Sequence, residues 1–179
     1  MLEQAGLDLA VEAPQVDEDA EKRRLVGAWD IATALAEAKA LSVSRLQPQA
    51  LVIGSDSVVE VDGKPFDKPK DRGQAADHLR HFSGKKMVLT SAVALSRRGE
   101  VEWSFCDEAT LRVRPLSEAF IQAYLEAEWP DVAYCVGVFR LEGRGVQLFD
   151  SIDGSFFTIL GMPLLPLLDQ LRRKGVIPE

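Results

Sequence analysis

The chain has 179 residues, a length that suits one domain with room for a buried core. Hydrophobic residues make up 46% and charged residues 27%, and no apolar run approaches the roughly eighteen residues that a membrane span requires. The formal net charge of -7 argues against general nucleic-acid binding, which needs an excess of Lys and Arg, yet leaves room for a small anionic substrate met by a few convergent cations and a metal.

In chain order, residues 13–24 are polar and acidic and read as a loop. Ile31 to Leu46 is rich in Ala and Leu, with Ile31, Leu35, Ala38 and Leu41 near helical spacing, which predicts a helix. Leu51-Val52-Ile53 reads as a short strand ending at Gly54, and Val58 to Val61 resumes extended structure before a turn at Asp62-Gly63. Asp71 to Phe82 reads as a helix with Ala75, Leu79 and Phe82 on one face, stopped by Ser83-Gly84. Met87 to Leu95 and Val101 to Val113 are two long strands paired across Arg97-Arg98-Gly99. Ser117 is the expected N-cap of a helix running to Glu128, and residues 136–149 suggest further strand around Gly143 and Gly145. Pro163 fits a helix's first turn; Leu164, Leu165, Leu167, Leu168 and Leu171 form an apolar stripe, and Arg172-Arg173-Lys174 and Gly175 close it. Interleaved strands and helices point to one mixed α/β domain without internal repeats.

The opening Met1-Leu2-Glu3-Gln4 lacks the basic, then apolar, start of a secretory signal. Cys106 and Cys135 are too few for a disulfide scaffold and show no CxxC spacing. A reducing cytoplasm is the expected location.

The most informative segment for chemistry is Gly54-Ser55-Asp56-Ser57, directly after an apolar strand. A carboxylate at a strand's C-terminal end faces the crevice where open α/β sheets bind ligands. There it can bind a hard cation or take a proton from an attacking water; the alternative is an Asx-turn that ends the strand. In Phe66-Asp67-Lys68-Pro69, a lysine held by a following proline could present a fixed charge to phosphate oxygens; the alternative is a solvated loop lysine. Lys39, flanked by alanines, is either turned towards a cleft or simply exposed on its helix. Asp17-Glu18-Asp19 could supply a metal ligand or be a solvated acidic loop. Glu142, between Leu141 and Gly143, could accept hydrogen bonds from a nucleobase edge or face water at a strand end. With only His78 and His81 available, both on a helix read as surface-exposed, neither a Cys135–His pair nor a zinc site is expected. No GxxxxGK[ST] loop and no GxGxxG fingerprint occurs, so phosphate handling falls to separate side chains with a metal.

These segments together resemble the Maf family of nucleotide pyrophosphatases. The matching pieces are Val16-Asp17-Glu18, Leu35 to Ala40, Gly54-Ser55-Asp56-Ser57-Val58, Asp67-Lys68-Pro69, Phe82-Ser83-Gly84 and Leu160-Gly161-Met162-Pro163-Leu164, in family order. The stretch from Cys135 to Gly143, continued through Phe149 to Gly154, looks most like the branch that cleaves 7-methyl-GTP. That branch carries Glu at the position of Glu142, where the dTTP/UTP branch carries Gln.

The resemblance implies a single elongated Maf/ITPase-like α/β domain over residues 1–179, with a cleft between two lobes. It implies hydrolysis of a nucleoside triphosphate, for example 7-methyl-GTP, to monophosphate and pyrophosphate. Asp56 would be the proton acceptor, Lys68 and Lys39 phosphate-facing cations, and Glu18 with Asp56 the carboxylates of a Mg²⁺ or Mn²⁺ site. Ser57 and Glu142 match positions that tune base specificity. A homodimer is the implied assembly; nucleic acid and membrane are not expected partners. A nucleotide-binding regulator of cell division with little turnover, or an inactive truncated homologue, is the alternative. Two departures stand out. Relative to the family, the chain begins after an opening strand and a Ser-x-Ser-Pro-x-Arg-Arg-type loop, and Ser57 stands where the 7-methyl-GTP branch usually has Gln.

Overall fold

A computed structural model describes residues 1–178. Six α-helices and five strands follow one another as α1 (Glu18–Arg24), α2 (Ala28–Leu46), β1 (Val52–Val61), β2 (Lys64–Phe66), α3 (Arg72–Phe82), β3 (Lys86–Arg97), β4 (Glu100–Val113), α4 (Glu118–Glu128), β5 (Phe149–Asp153), α5 (Phe156–Ile159) and α6 (Leu164–Arg173). The strands form one sheet in the order β2-β1-β3-β4-β5, so the fold is mixed α/β as the residue pattern predicts. The chain divides into two compact units. One comprises Met1–Asp56, Ser91–Cys106 and Gly161–Glu179, the other Ser57–Thr90 and Asp107–Leu160.

In the first unit, α2 buries Ala28, Ala32, Leu35, Ala36, Ala40 and Ser44, a face of mostly small residues at helical spacing. Small side chains let the helix come close to β1. A Cβ added at Gly54 would lie 2.3 Å from the Ala36 carbonyl oxygen and 2.6 Å from the Ala40 nitrogen. Gly54 is therefore a contact residue inside a continuous strand, where the sequence reading expects it to end one. The first unit's β3 segment is buried at Ala92, Val93, Ala94 and Leu95, and α6 adds Leu164, Leu167 and Leu171. The expected stripe holds at those three leucines, while Leu165 is 61% exposed.

The second unit holds a core of Val59, Val61, Leu79, Phe82, Met87, Leu111, Ile121, Leu125 and neighbouring residues. Helices α3 and α4 begin where cap chemistry directs: the Asp71 carboxylate accepts from the Gln74 backbone N–H at 2.8 Å, and the Ser117 hydroxyl from that of Phe120 at 3.2 Å. The β1–β2 turn uses Asp62 (φ 54°) and Gly63 (φ 69°), a left-handed pair suited to a two-residue hairpin. Two further sequence expectations fail. Residues 18–24 form α1, not a loop: the Asp17 carboxylate caps it by accepting from the Ala20 N–H at 2.9 Å, acidic residues occupy its first turn and basic residues its last. Residues 136–148 are turns and a 3₁₀ segment at Arg144–Leu148, not a strand. A Cβ at Gly145 would meet the Arg140 carbonyl at 2.5 Å, so that glycine serves a tight loop.

Candidate active site

The close approach of α2 to β1 places chemistry as well as core. Side chains alternate along a strand, so Asp56 lies on the face of Gly54, the face against α2. Lys39 sits one residue before Ala40, which touches Gly54. Its Nζ donates to Asp56 Oδ1 at 2.6 Å, and Glu18 Oε1 on α1 lies 2.9 Å from the same nitrogen. The three side chains are unequally covered: 12% exposed for Asp56, 19% for Lys39 and 46% for Glu18. One ammonium thus joins two carboxylates from a strand and a neighbouring helix. Asp56 sits mid-strand, not at the strand end that the sequence suggests, because β1 runs unbroken through Gly54.

Burial pushes the Asp56 carboxyl up, against the hydrogen bond and charge of Lys39; the nearby Glu18 charge adds to the rise, Lys22 opposes it, and the balance lies above the ordinary value. Burial pulls Lys39 down, but its hydrogen bonds to Asp56 and Glu18 outweigh that and leave it raised. A simple two-member ion pair would raise the lysine and lower the aspartate. Here two acids share one base, so the ammonium is strongly favoured while the more buried acid is destabilised as an anion.

The second unit carries the other expected residues. Lys68 is exposed and Pro69 buried just after β2, the arrangement read from the sequence. Glu142 is exposed, and Ser57 half-buried on β1. Burial pushes the Cys135 thiol up, with Glu142 adding to the rise and Arg140 and Lys68 pulling it down. Glu142, Arg140 and Lys68 therefore lie within electrostatic reach of Cys135, which is held as a neutral thiol and is a poor nucleophile. His78 and His81 are half-buried, not surface-exposed as the sequence reading has them; both rings pack against Phe66 and Phe82. Sequence reasoning misses the support of the Cys135–Gly143 loop. Val138 is fully buried with φ 57°, an unusual conformation for a β-branched residue, and the buried Tyr124 hydroxyl donates to its carbonyl at 3.0 Å. No sequence signal foretells a left-handed valine.

A divalent cation fits the donor set at Glu18 and Asp56: both offer hard carboxylate oxygens, and both already converge on a positive charge, the Lys39 ammonium. Among the described residues, no group of three or more His, Cys, Asp or Glu gathers as a metal site. For such an ion the protein would offer these two carboxylates, with other oxygens completing the shell. A cavity of about 520 Å³ in the first unit is reached by Lys39, but Leu9, Val11, Val43, Ile53, Met162 and Leu171 make its wall largely apolar. That lining is no cradle for a triphosphate.

A half-buried aspartate on a sheet strand, bridged by a helix lysine to a second carboxylate, is the charged cluster that this mixed α/β fold assembles. The chain belongs to the Maf family: the family model described as Maf-like protein matches residues 1–174. A 7-methyl-GTP pyrophosphatase of Rhizobium meliloti (strain 1021) is 44% identical over 181 residues, covering 99% of this chain and 91% of that protein. A nucleoside triphosphate pyrophosphatase of Sphingopyxis alaskensis is 43% identical over 184 residues, covering 100% and 93%. One of the same name from Ruegeria sp. (strain TM1040) is 39% identical, covering 100% and 92%. Among the described residues, no helix is long and apolar enough to cross a membrane.

Proposed function

We propose that this chain hydrolyses a nucleoside triphosphate to the monophosphate and pyrophosphate, with Asp56 as proton acceptor. The observation that carries the reading is the Glu18–Lys39–Asp56 cluster; the names of relatives aligned over nearly the whole chain support the reaction class. We assign an Asp56 carboxylate oxygen to take a proton from the water that attacks the α-phosphorus. As the new P–O bond forms, the bond to the β-phosphate's bridging oxygen breaks and pyrophosphate leaves. A carboxyl raised by burial is a better acceptor near neutrality than an ordinary aspartate. Lys39 stabilises the charge that accumulates on the phosphates by position and electrostatics, and the family resemblance implies the same kind of role for Lys68. When bound at Glu18 and Asp56, Mg²⁺ or Mn²⁺ would neutralise triphosphate charge and polarise a phosphoryl oxygen.

For the base, we place 7-methyl-GTP first. The support is Glu142, which matches the 7-methyl-GTP branch and can accept hydrogen bonds from a guanine edge; Ser57 is the second specificity position. The reading includes action in the cytoplasm, as the cysteine content suggests, and assembly as a homodimer, as the family resemblance implies. The test is a panel of triphosphates with Mg²⁺ or Mn²⁺, assayed separately for pyrophosphate and orthophosphate. Pyrophosphate release by the wild type and its loss in Asp56→Asn, with an unchanged circular-dichroism spectrum, is the expected result. Full turnover by Asp56→Asn would reject Asp56 as the base, and orthophosphate as the first product would reject the reaction.

A further inference from the structure

Resting on the reading of Glu18 and Asp56 as metal-site carboxylates, we propose that Lys39 is an internal counter-ion that blocks this site until a triphosphate draws its ammonium away. Divalent metal then enters with the nucleotide and not ahead of it.

Two observations carry this. First, the Lys39 Nζ sits 2.6 Å from Asp56 Oδ1 and 2.9 Å from Glu18 Oε1, the spacing of charge-assisted hydrogen bonds. A divalent ion would need the same oxygens at shorter range and would be repelled by the ammonium. Second, Lys39 has no acid to retreat to on its own helix: the positions three and four residues away are Ala36, Ser42, Leu35 and Val43. Nearby Glu37 is engaged by the Ser104 hydroxyl at 2.8 Å. A triphosphate is the group that can offer the ammonium new oxygens in exchange. Exchange of partners couples the two ligands: nucleotide frees the carboxylates, and metal on the carboxylates releases the lysine to the phosphates. Such coupling is reciprocal by linkage.

The experiment uses Mn²⁺ alone, titrated into the full chain without nucleotide and followed by electron paramagnetic resonance. Lys39→Met should bind Mn²⁺ about tenfold or more tighter than the wild type, the size of an ordinary coupling between sites. Adding Glu18→Gln to that variant should erase the gain. A non-hydrolysable triphosphate should tighten Mn²⁺ binding to the wild type far more than to Lys39→Met. Equal or weaker Mn²⁺ binding by Lys39→Met overturns the proposal.

Because the variant leaves Asp56 without its partner, its circular dichroism is followed during the titration, beside Lys39→Gln. Recovery of the folded spectrum on adding Mn²⁺ supports the proposal. Failure of both variants to fold at saturating Mn²⁺ overturns it, since the metal then cannot replace the ammonium. A wild type that turns over no triphosphate would refute the hydrolase reading and leave this comparison intact. Unchanged Mn²⁺ affinity would refute the block and leave the hydrolase reading standing.

Discussion

Tyr124 and Val138 show what a single hydrogen bond can hold in place. A valine in the left-handed region stores strain, on the order of 1–3 kcal/mol, and persists only where its surroundings fix it. Its carbonyl is buried and receives the Tyr124 hydroxyl at 3.0 Å. Burial pushes that hydroxyl's pKa up, the charge of Glu128 adding to it, so it remains a donor at every working pH. Tyr124→Phe leaves the carbonyl unpaired in the core and should destabilise the protein by about 1–3 kcal/mol. Urea unfolding measures it, and a midpoint equal to the wild type's would show that the bond contributes nothing. The signature differs from that of Asp56→Asn, which removes a buried negative charge while Lys39 keeps Glu18 as partner. Asp56→Asn should lose turnover and stay within about 1 kcal/mol of wild-type stability, because removing a desolvated charge offsets much of the lost pairing.

Among the elements, the packing of α2 on β1 decides where the site lies. Gly54→Ala puts a Cβ 2.3 Å from the Ala36 carbonyl oxygen, a backbone atom that cannot step aside. The helix must move outward, which should cost about 1–3 kcal/mol as overpacking does. The same displacement separates Lys39 from Asp56, so turnover should fall together with the melting temperature; an Ala variant that keeps both would show the approach to be looser. Asp17→Ala tests the other partner. Loss of the N-cap should weaken α1 by about 1 kcal/mol. Because α1 has only seven residues, hydrogen exchange over Glu18–Arg24 should accelerate with little change in the global melt. These elements also show what the sequence could disclose. Helices α3 and α4 were legible because Asp71 and Ser117 are cap residues ahead of a helical period, and the β1–β2 turn because Asp62-Gly63 is a hairpin pair. Helix α1 was hidden by its charge, although Asp17 followed by acids and then bases is itself a helix signature. Gly54 misled because a glycine that ends a strand and one that admits a helix look alike in sequence. Asp56 and Lys39 were readable as candidates, whereas their bond, between residues 17 apart, is a product of packing that no local pattern contains.

For the molecule as a whole, net charge -7 means that acids outnumber bases, and stability at low pH depends on which acids have partners. Glu118 is held at about 2 by the Arg80 guanidinium, with Gln122 assisting, in a two-point contact at 2.6 and 2.9 Å that ties α4 to α3. Lys174 at the end of α6 holds Glu102 of β4 below its ordinary value, and Lys85 does the same for Asp62. Each of these acids binds its proton more weakly in the folded chain than in the unfolded one. Each therefore contributes stability that is fully present above its unfolded value and is lost as pH falls through its folded one; for Glu118 that window runs from near 4.5 down to about 2. Asp56, raised by burial, has the opposite sign and does not add to this loss. Glu118→Gln should accordingly melt below the wild type at neutral pH, with the gap closing as pH drops from 4.5 towards 2. Arg80 and Glu118 are both exposed, so solvent screening keeps their effect small and added salt should narrow the gap at neutral pH. Melting curves of both proteins across that range decide it. A gap of constant size at every pH would mean that the Arg80–Glu118 contact acts through packing and not through charge.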